Sequence, residues 1–125
     1  MRILLLGANG QVGFALHRSL VAHGEIVATT RSGRLPGSNA PCEVADLDQP
    51  QSLAALVRRV APDLVVNAAA YTAVDKAESD QESAWRINAE AVEVLARACT
   101  TRGIPLVHYS TDYVFPGDAE RPWRE

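Results

Sequence analysis

The feature that most constrains the fold is an apolar segment at the start of the chain, which breaks into three evenly spaced glycines. Residues 2–6 predict a buried strand of a parallel sheet, and Gly7, Gly10 and Gly13 follow it directly, with a helical pattern after them. A strand, a glycine turn and a helix N-terminus form a phosphate site, because the helix end offers unpaired backbone N–H groups and glycine allows close approach. The turn therefore predicts nucleotide binding, although glycine also collects in turns for steric reasons alone.

Strands and helices alternate along the rest of the chain. Further strands are predicted at residues 25–30, 43–45, 64–66 and 106–109, and helices at about residues 11–23, 50–60 and 80–102. Alternation with short connections predicts an α/β fold, a doubly wound parallel sheet of about five strands. The glycine spacing is G-x-x-G-x-x-G, whereas the commonest dinucleotide fingerprint is G-x-G-x-x-G. We expect one NAD(P)-binding Rossmann domain over residues 1–125.

The unusual polar and glycine clusters all lie where a predicted strand ends. These clusters are Gly7–Gly13, Thr30–Arg31, Asp46–Leu47, Asn67–Thr72 and Ser110–Asp112. In a doubly wound sheet, ligands bind beyond the carboxyl ends of the strands, near the point where the strand order reverses. The convergence of the clusters on one edge therefore predicts a single binding site there.

The end of the second strand bears on which dinucleotide binds. An acid at this place usually holds the adenosine ribose through its 2′-hydroxyl. Here the place is taken by Thr30, and Arg31 and Arg34 follow it. No carboxylate repels a 2′-phosphate, and two guanidiniums could pair with one. The sequence therefore predicts a preference for NADPH, with NADH possible; the alternative is that the arginines only solvate a loop.

Two other clusters have both a cofactor interpretation and a structural one. Asp46 and Leu47 end the third strand, where an acid and an apolar side chain could contact the amino group and ring of an adenine. Alternatively, this segment forms a helix N-cap around Asp48. The small residues Ala68, Ala69 and Ala70 would let a cofactor lie against the backbone, or they serve close packing between sheet and helix.

The segment Ser110–Asp112 raises the question of nucleophilic catalysis. A triad is disfavoured, because His17 and His23 lie on the first predicted helix and His108 lies within a predicted buried strand. A hydroxyl that donates a hydrogen bond to a substrate carbonyl fits better, since it stabilises the alkoxide that hydride transfer produces. His108 is expected to be a satisfied core or edge residue.

Composition excludes several classes of partner. The net charge of -3 gives no support for nucleic-acid or membrane-surface binding, and no segment reaches the roughly 18 apolar residues of a membrane span. Cys42 and Cys99 fit neither a disulfide framework nor a metal site, so we expect core thiols of a cytoplasmic protein. No cluster of ligating side chains predicts a metal. Trp85 and Trp123 are expected to serve packing or an interface.

Three motifs together resemble the dTDP-4-dehydrorhamnose reductase family, of the extended short-chain dehydrogenase/reductase superfamily. They are Gly7–Gly13, Asn67–Glu78 and His108–Gly117, and the second and third are more specific than the glycine turn. The resemblance runs along the whole chain in order. It implies reduction of dTDP-4-dehydro-L-rhamnose to dTDP-L-rhamnose by NADPH or NADH, the last step in making that activated sugar.

The resemblance also implies roles for individual residues. Residues 10–12 would meet the cofactor diphosphate, and residues 46–47 would flank the adenine. Thr111 would take the Ser/Thr place of the family's Ser/Thr–Tyr–Lys catalytic set and, with Asp112, touch the substrate. With the inferences above, the candidate cofactor-binding residues are Gly7, Gly10, Gln11, Val12, Gly13, Thr30, Arg31, Asp46, Leu47, Ala68, Ala69, Ala70, Tyr71, Thr72 and Tyr109.

One motif of the family has no match in this chain. The family's Tyr-x-x-x-Lys carries the proton-donating tyrosine and a lysine that lowers its pKa and holds the nicotinamide ribose. None of Tyr71, Tyr109 and Tyr113 is followed by lysine four residues on. In the family the motif comes shortly after the segment that Pro122–Glu125 resembles. We therefore expect an N-terminal portion of the enzyme, without the catalytic helix and the substrate lobe, that is inactive alone.

Some members of the family bind magnesium at a dimer contact through a glutamate of the first helix. The matching position here is Ala15, so magnesium and that mode of dimerisation are not expected. The expected partners are a dTDP-sugar substrate and, for the full-length protein, a possible second copy. Two alternatives stay open: a non-catalytic NADP-binding regulatory subunit, such as that of methionine adenosyltransferase, and a sugar-nucleotide epimerase of the same superfamily.

Overall fold

The sheet has five parallel strands with the first strand at its centre. A computed structural model describes residues 1–117 and 121–122, and Trp123 lies outside the described residues, as do the other two residues of the 123–125 segment. The strands are β1 (Arg2–Leu6), β2 (Glu25–Thr30), β3 (Glu43–Val44), β4 (Leu64–Asn67) and β5 (Leu106–His108). Their order is β3-β2-β1-β4-β5, and every pairing is parallel. The predicted doubly wound parallel sheet is confirmed, and its order reverses between β1 and β4.

The helices lie between the strands, as the sequence predicts. They are α1 (Gln11–Leu20), α2 (Pro50–Val60), α3 (Val74–Ala77), α4 (Gln81–Trp85) and α5 (Ala91–Arg102), with short 3₁₀ segments at Val21–His23 and Asp112–Val114. The long helix predicted over about residues 80–102 is present but contains a π-helical turn at Arg86–Glu90. The short helix α3 was not predicted. Within the part of the chain that the structure describes, no helix has the length and apolar character to span a membrane.

The two faces of the sheet are covered differently. Leu4 and Leu6 of β1 face a cluster that α2 and α5 supply, with Leu53 and Leu95 fully buried. Ile3 and Leu5 of β1 face the opposite side of the sheet, where α1 contributes only partly buried side chains. Alternate residues of one strand therefore enter two separate cores, as a strand between two layers of helices requires.

Two sequence expectations about burial are wrong in detail. Cys99 is a core thiol, and burial raises its pKa. Cys42 is only half-buried, because it lies in the loop before β3 rather than in a core. The segment predicted as a buried fifth strand is largely exposed, including Val107 and His108. The reason is its place at the edge of the described sheet, where β4 alone flanks it.

Candidate functional site

The carboxyl ends of β1, β2 and β4 meet around one open groove of about 770 Å³. This groove lies where the strand order reverses, the place where doubly wound sheets bind ligands. Its lining residues come from the turn after β1, the ends of β2 and β3, the loop after β4 and three helical segments, namely α1, α3 and the π-helical turn. They are Gly7, Asn9, Gly10, Gln11, Val12, Thr30, Arg31, Ala45, Asp46, Leu47, Ala68, Ala69, Ala70, Tyr71, Thr72, Ala73, Lys76 and Ile87.

The glycine turn is shaped by close contacts between backbone segments. Gly7 has a φ of +78°, and a Cβ there would lie 2.8 Å from the backbone nitrogen of Ala69. A Cβ on Gly13 would lie 2.0 Å from the carbonyl oxygen of Gly7. The N–H of Gly10 donates to that same carbonyl at 3.0 Å. Two of the three glycines are therefore required by the packing of strand, turn and helix, whether or not a ligand binds.

The turn also presents the start of α1 to the groove. The N–H of Phe14 donates to the carbonyl of Gly10 at 2.8 Å, which is the first hydrogen bond of the helix. The N-cap residue of α1 is Gly10, which has no side chain to make a capping bond, and the first turn of the helix contains no acid. The N–H groups of residues 11–13 are therefore left for an anionic ligand, and the helix dipole adds a partial positive charge. Gln11 and Val12 line the groove beside them.

The end of β2 places one cationic side chain, that of Arg31, in the lining of the groove. The buried Thr30 hydroxyl accepts from the N–H of Arg34 at 3.1 Å and lies 3.2 Å from the Ser32 hydroxyl. Thr30 therefore fixes the following loop rather than offering its hydroxyl to a ligand. Arg31 lines the groove, whereas the Arg34 guanidinium donates to the carbonyl of Asn39 at 3.3 Å. Of the two arginines suggested for a 2′-phosphate, the structure places only Arg31 there.

The segment after β3 does not cap a helix. The N-cap of α2 is Gln49, which makes no side-chain capping bond, so the capping interpretation of this segment is wrong. Instead the Asp46 carboxylate accepts from the N–H of Asp48 at 3.0 Å and closes a tight turn. The Asp48 carboxylate pairs with the Arg86 guanidinium at 2.7 Å. Asp46 and Leu47 are held at the groove by these contacts.

A buried amide connects β4 to its neighbour and to the groove. Asn67 is fully buried, and its Oδ1 accepts from the N–H of Ala69 at 3.1 Å. This bond identifies the other amide atom as the donor Nδ2, which lies 3.1 Å from Nδ1 of His108. His108 Nδ1 is therefore the acceptor, and in the neutral ring the proton is on Nε2. Partial burial lowers the pKa of His108, which favours this neutral form.

A second amide holds the loop after β4 from the other side. Asn88 accepts from the N–H of Tyr71 at 2.8 Å and donates to its carbonyl at 3.1 Å. The Tyr71 hydroxyl donates to the Asp80 carboxylate at 3.2 Å. Burial, and then the Asp80 charge, raise the pKa of Tyr71. A hydrogen bond from Ser83, and then the one from Tyr71, lower the pKa of Asp80 against its burial.

The π-helical turn explains how two of these contacts arise. It contains both Arg86, which reaches Asp48, and Asn88, which reaches Tyr71. Hydrogen bonds to Asp48, and then to Glu82, raise the pKa of Arg86 further above its ordinary value. Short π-helical turns inside α-helices are frequent at functional sites. Sequence reasoning missed Arg86 and Asn88, because their partners are 38 and 17 residues away and no local pattern marks them.

Most of the residues predicted to bind a cofactor line the groove, and a few do not. Gly13 is buried beneath the turn, and Tyr109 lies past the end of β5, outside the lining. Thr111 and Asp112, at the start of the 3₁₀ segment after β5, are exposed and do not line the groove either. The lining residues that the sequence did not single out are Asn9, Ala45, Ala73, Lys76 and Ile87. Asn9 was recognisable from its place inside the glycine turn.

No group of three or more His, Cys, Asp or Glu side chains within residues 1–117 and 121–122 is arranged to hold a metal ion. Nδ1 of His108 is already paired with Asn67. The groove itself presents backbone N–H groups at the start of α1 and the side chains of Arg31 and Lys76.

Comparison with known proteins places this groove in a family. The sequence profile described as the RmlD substrate binding domain matches residues 1–125. The dTDP-4-dehydrorhamnose reductase of Salmonella typhimurium is 48% identical over the whole chain, which spans 40% of that protein's length. Among solved structures, a hypothetical dTDP-4-dehydrorhamnose reductase from Sulfolobus tokodaii has a TM-score of 0.86 at 38% identity over 100% of this chain and 44% of that one.

A second solved structure bears on the ligand. The dTDP-4-dehydrorhamnose reductase of Bacillus anthracis, determined in complex with NADP, has a TM-score of 0.78 at 32% identity. The match covers 95% of this chain and 39% of that one. The chain therefore spans well under half the length of the relatives that it matches.

Proposed function

Since this chain belongs to the RmlD substrate binding domain family, we propose that it is the cofactor-binding part of an NADPH-dependent sugar-nucleotide reductase. The reaction of the whole protein is then the reduction of dTDP-4-dehydro-L-rhamnose to dTDP-L-rhamnose. In this proposal residues 1–125 are an incomplete Rossmann domain, and a catalytic helix and a substrate lobe belong to the remainder. In this proposal the protein is cytoplasmic, and the full-length protein can form a homodimer. It has no magnesium site of the kind that uses a glutamate of the first helix, because Ala15 occupies that position.

The observation that carries the proposal is the groove at the reversal point of the sheet. The glycine turn brings it unpaired N–H groups for a diphosphate, and Arg31 brings a guanidinium to the end of β2. No acid stands at the end of β2 to repel a 2′-phosphate. The residues present therefore fit NADPH, and the NADP complex of the Bacillus anthracis relative supports the same cofactor.

Different residues of the chain would bind different groups of the cofactor. Residues 10–12 would bind the diphosphate, Asp46 and Leu47 would flank the adenine, and residues 68–72 would line the cofactor. When bound, NADPH supplies the hydride that reduces the sugar carbonyl. Thr111 would donate a hydrogen bond to the oxygen that gains negative charge, with Asp112 beside it. Its present bond to Asp112 is long, at 3.4 Å, so exchange for a substrate oxygen costs little.

The proton for that oxygen has no donor of the expected kind in this chain. Tyr71 lines the groove, but burial and Asp80 raise its pKa, the opposite of what a neighbouring lysine does for the family's catalytic tyrosine. We therefore propose that Tyr-x-x-x-Lys lies beyond residue 125 and that the 125-residue chain alone does not turn over. Loss of a general acid removes roughly 10²- to 10⁴-fold in rate.

Two measurements test the proposal. The full-length protein should oxidise NADPH in the presence of the dehydro-sugar, while the 125-residue chain should not. In the full-length protein, Arg31→Ala should raise the Michaelis constant for NADPH much more than that for NADH, because only NADPH carries the 2′-phosphate. Turnover by the 125-residue chain would contradict the proposed need for a general acid beyond residue 125. Equal effects of Arg31→Ala on both cofactors would contradict the proposed contact between Arg31 and the 2′-phosphate.

A further inference from the structure

One cation in the groove has no role in the function proposed so far. Lys76 is the only lysine of the chain, which contains eleven arginines. It lies on α3, directly after the loop that lines the groove, and lines the groove itself together with Arg31 and the glycine turn. Its side chain is therefore close enough to meet a ligand that occupies this space.

The ammonium of Lys76 is not committed to a protein partner. Among the described residues it forms no ion pair, whereas Arg2, Arg59, Arg86 and Arg97 all do. The charge of Lys76 reaches the Asp80 carboxylate, which also accepts from Tyr71 at 3.2 Å and from Ser83, but the two groups form no ion pair. An exposed cation that lines a pocket and is not held in an ion pair attracts anionic ligands.

We propose that Lys76 binds phosphate oxygens of a nucleoside diphosphate in the groove. The inference rests on the proposed function, which brings two such groups to this site: the diphosphate of the dinucleotide and that of the dTDP-sugar. A lysine ammonium suits either, because it is a compact point charge on a flexible stem and needs no fixed bidentate geometry.

The structure argues against two other roles for this lysine. A catalytic role through Tyr71 is excluded by geometry, because the Tyr71 hydroxyl is bonded to Asp80 and not to Lys76. A structural role of the ammonium has no support either, since Lys76 is exposed on a four-residue helix. Glu78, Ser79 and Asp80 bind its backbone carbonyl and not its ammonium. Removing the charge should therefore change binding and leave folding intact.

The test measures binding by the full-length protein with two separate probes. The dissociation constant for NADPH is measured by fluorescence and that for dTDP by calorimetry, each at low and high salt. The variants are Lys76→Gln, Lys76→Arg and the control Arg58→Gln. Arg58 is exposed on α2, forms no ion pair among the described residues and does not line the groove, so its loss changes the net charge equally.

Lys76→Gln should raise one of the two dissociation constants by roughly five- to tenfold and reduce its dependence on salt. The probe that responds identifies which diphosphate the lysine holds. Lys76→Arg should recover most of the affinity, and Arg58→Gln should stay near wild type. Unchanged constants for both probes in Lys76→Gln, or an equal change in Arg58→Gln, would overturn the inference. Failure of the wild-type protein to bind either probe would instead overturn the proposed function.

Discussion

The two sides of the groove are built by different means. The glycine side, residues 7–13, is held by close contacts between backbone atoms, such as the Gly10 N–H with the Gly7 carbonyl and Gly7 against the backbone of Ala69. The amide side, residues 67–72, is held by the side chains of Asn67 and Asn88. The glycine side depends on the absence of side chains, whereas the amide side depends on particular side chains. Adding atoms should therefore destabilise the glycine side, and removing atoms should destabilise the amide side.

The largest effect is expected from adding one carbon to the glycine side. Gly13→Ala would place a Cβ 2.0 Å from the carbonyl oxygen of Gly7, and neither backbone can move without separating α1 from β1. We expect the free energy of unfolding to fall by more than about 3 kcal/mol, measured by urea denaturation. Gly10→Ala is the matched control, since its Cβ would lie 3.4 Å from the same oxygen and has room. Equal stability of the two variants would refute the backbone explanation.

The amide side should instead be sensitive to loss of atoms. Asn67→Ala leaves the N–H of Ala69 without its acceptor and opens a space beside His108, at a fully buried position. The expected loss is about 2–4 kcal/mol in the free energy of unfolding. Asn9→Ala makes the same change at an exposed position and should cost less than about 0.5 kcal/mol. A loss for Asn67→Ala as small as that for Asn9→Ala would show that the amide does not hold the loop.

This difference also explains what the sequence could and could not predict. The glycine side was recognisable because its requirement is one of residue type at a fixed local spacing, next to a strand and a helix. The strands follow in the same way from apolar patterns, and the parallel sheet follows from strand–helix alternation with short connections. The amide side depends on pairs such as Asn67–His108 and Tyr71–Asn88, whose members are 41 and 17 residues apart. Their meeting requires the finished sheet and the π-helical turn, neither of which composition reveals.

Thr30 shows a related limit of sequence position. The sequence places it where a ribose-binding acid usually stands, yet its hydroxyl is consumed by the loop that it begins. Position along the chain indicates which edge of the sheet a residue occupies. It does not indicate whether the polar atom points to the ligand or to the protein.

Two adjacent threonines of β2 allow a smaller test of whether a side-chain hydrogen bond decides stability. Thr29 and Thr30 are both fully buried, but among the described residues the Thr29 hydroxyl has no hydrogen-bond partner, whereas that of Thr30 binds the Arg34 backbone. Thr29→Val should raise the free energy of unfolding by about 1 kcal/mol, and Thr30→Val should lower it by about 1–2 kcal/mol. Thermal unfolding of the two variants in parallel checks the signs. The same sign for both would mean that hydrogen bonding at β2 does not decide stability.

The smallest effect is a pH dependence that belongs to the amide side alone. Because partial burial lowers the pKa of His108 below its ordinary 6.5, the unfolded chain binds more protons than the folded one as the pH falls through that range. Protonation would also place a hydrogen on Nδ1, which faces the donor Nδ2 of Asn67. The stabilisation is therefore complete above about pH 6.5 and declines as the pH falls toward the lowered pKa.

His108→Gln keeps a side-chain oxygen that can accept from Asn67 but has no proton to gain. We expect the melting temperature of the wild-type protein to fall more between about pH 7.5 and about pH 5.5 than that of the variant. His108 is exposed overall, so the difference should be small compared with that of the substitutions above. An identical pH dependence in both proteins would assign the acid sensitivity to other groups. It would then leave the Asn67–His108 bond as a contact that orients the edge strand without responding to pH.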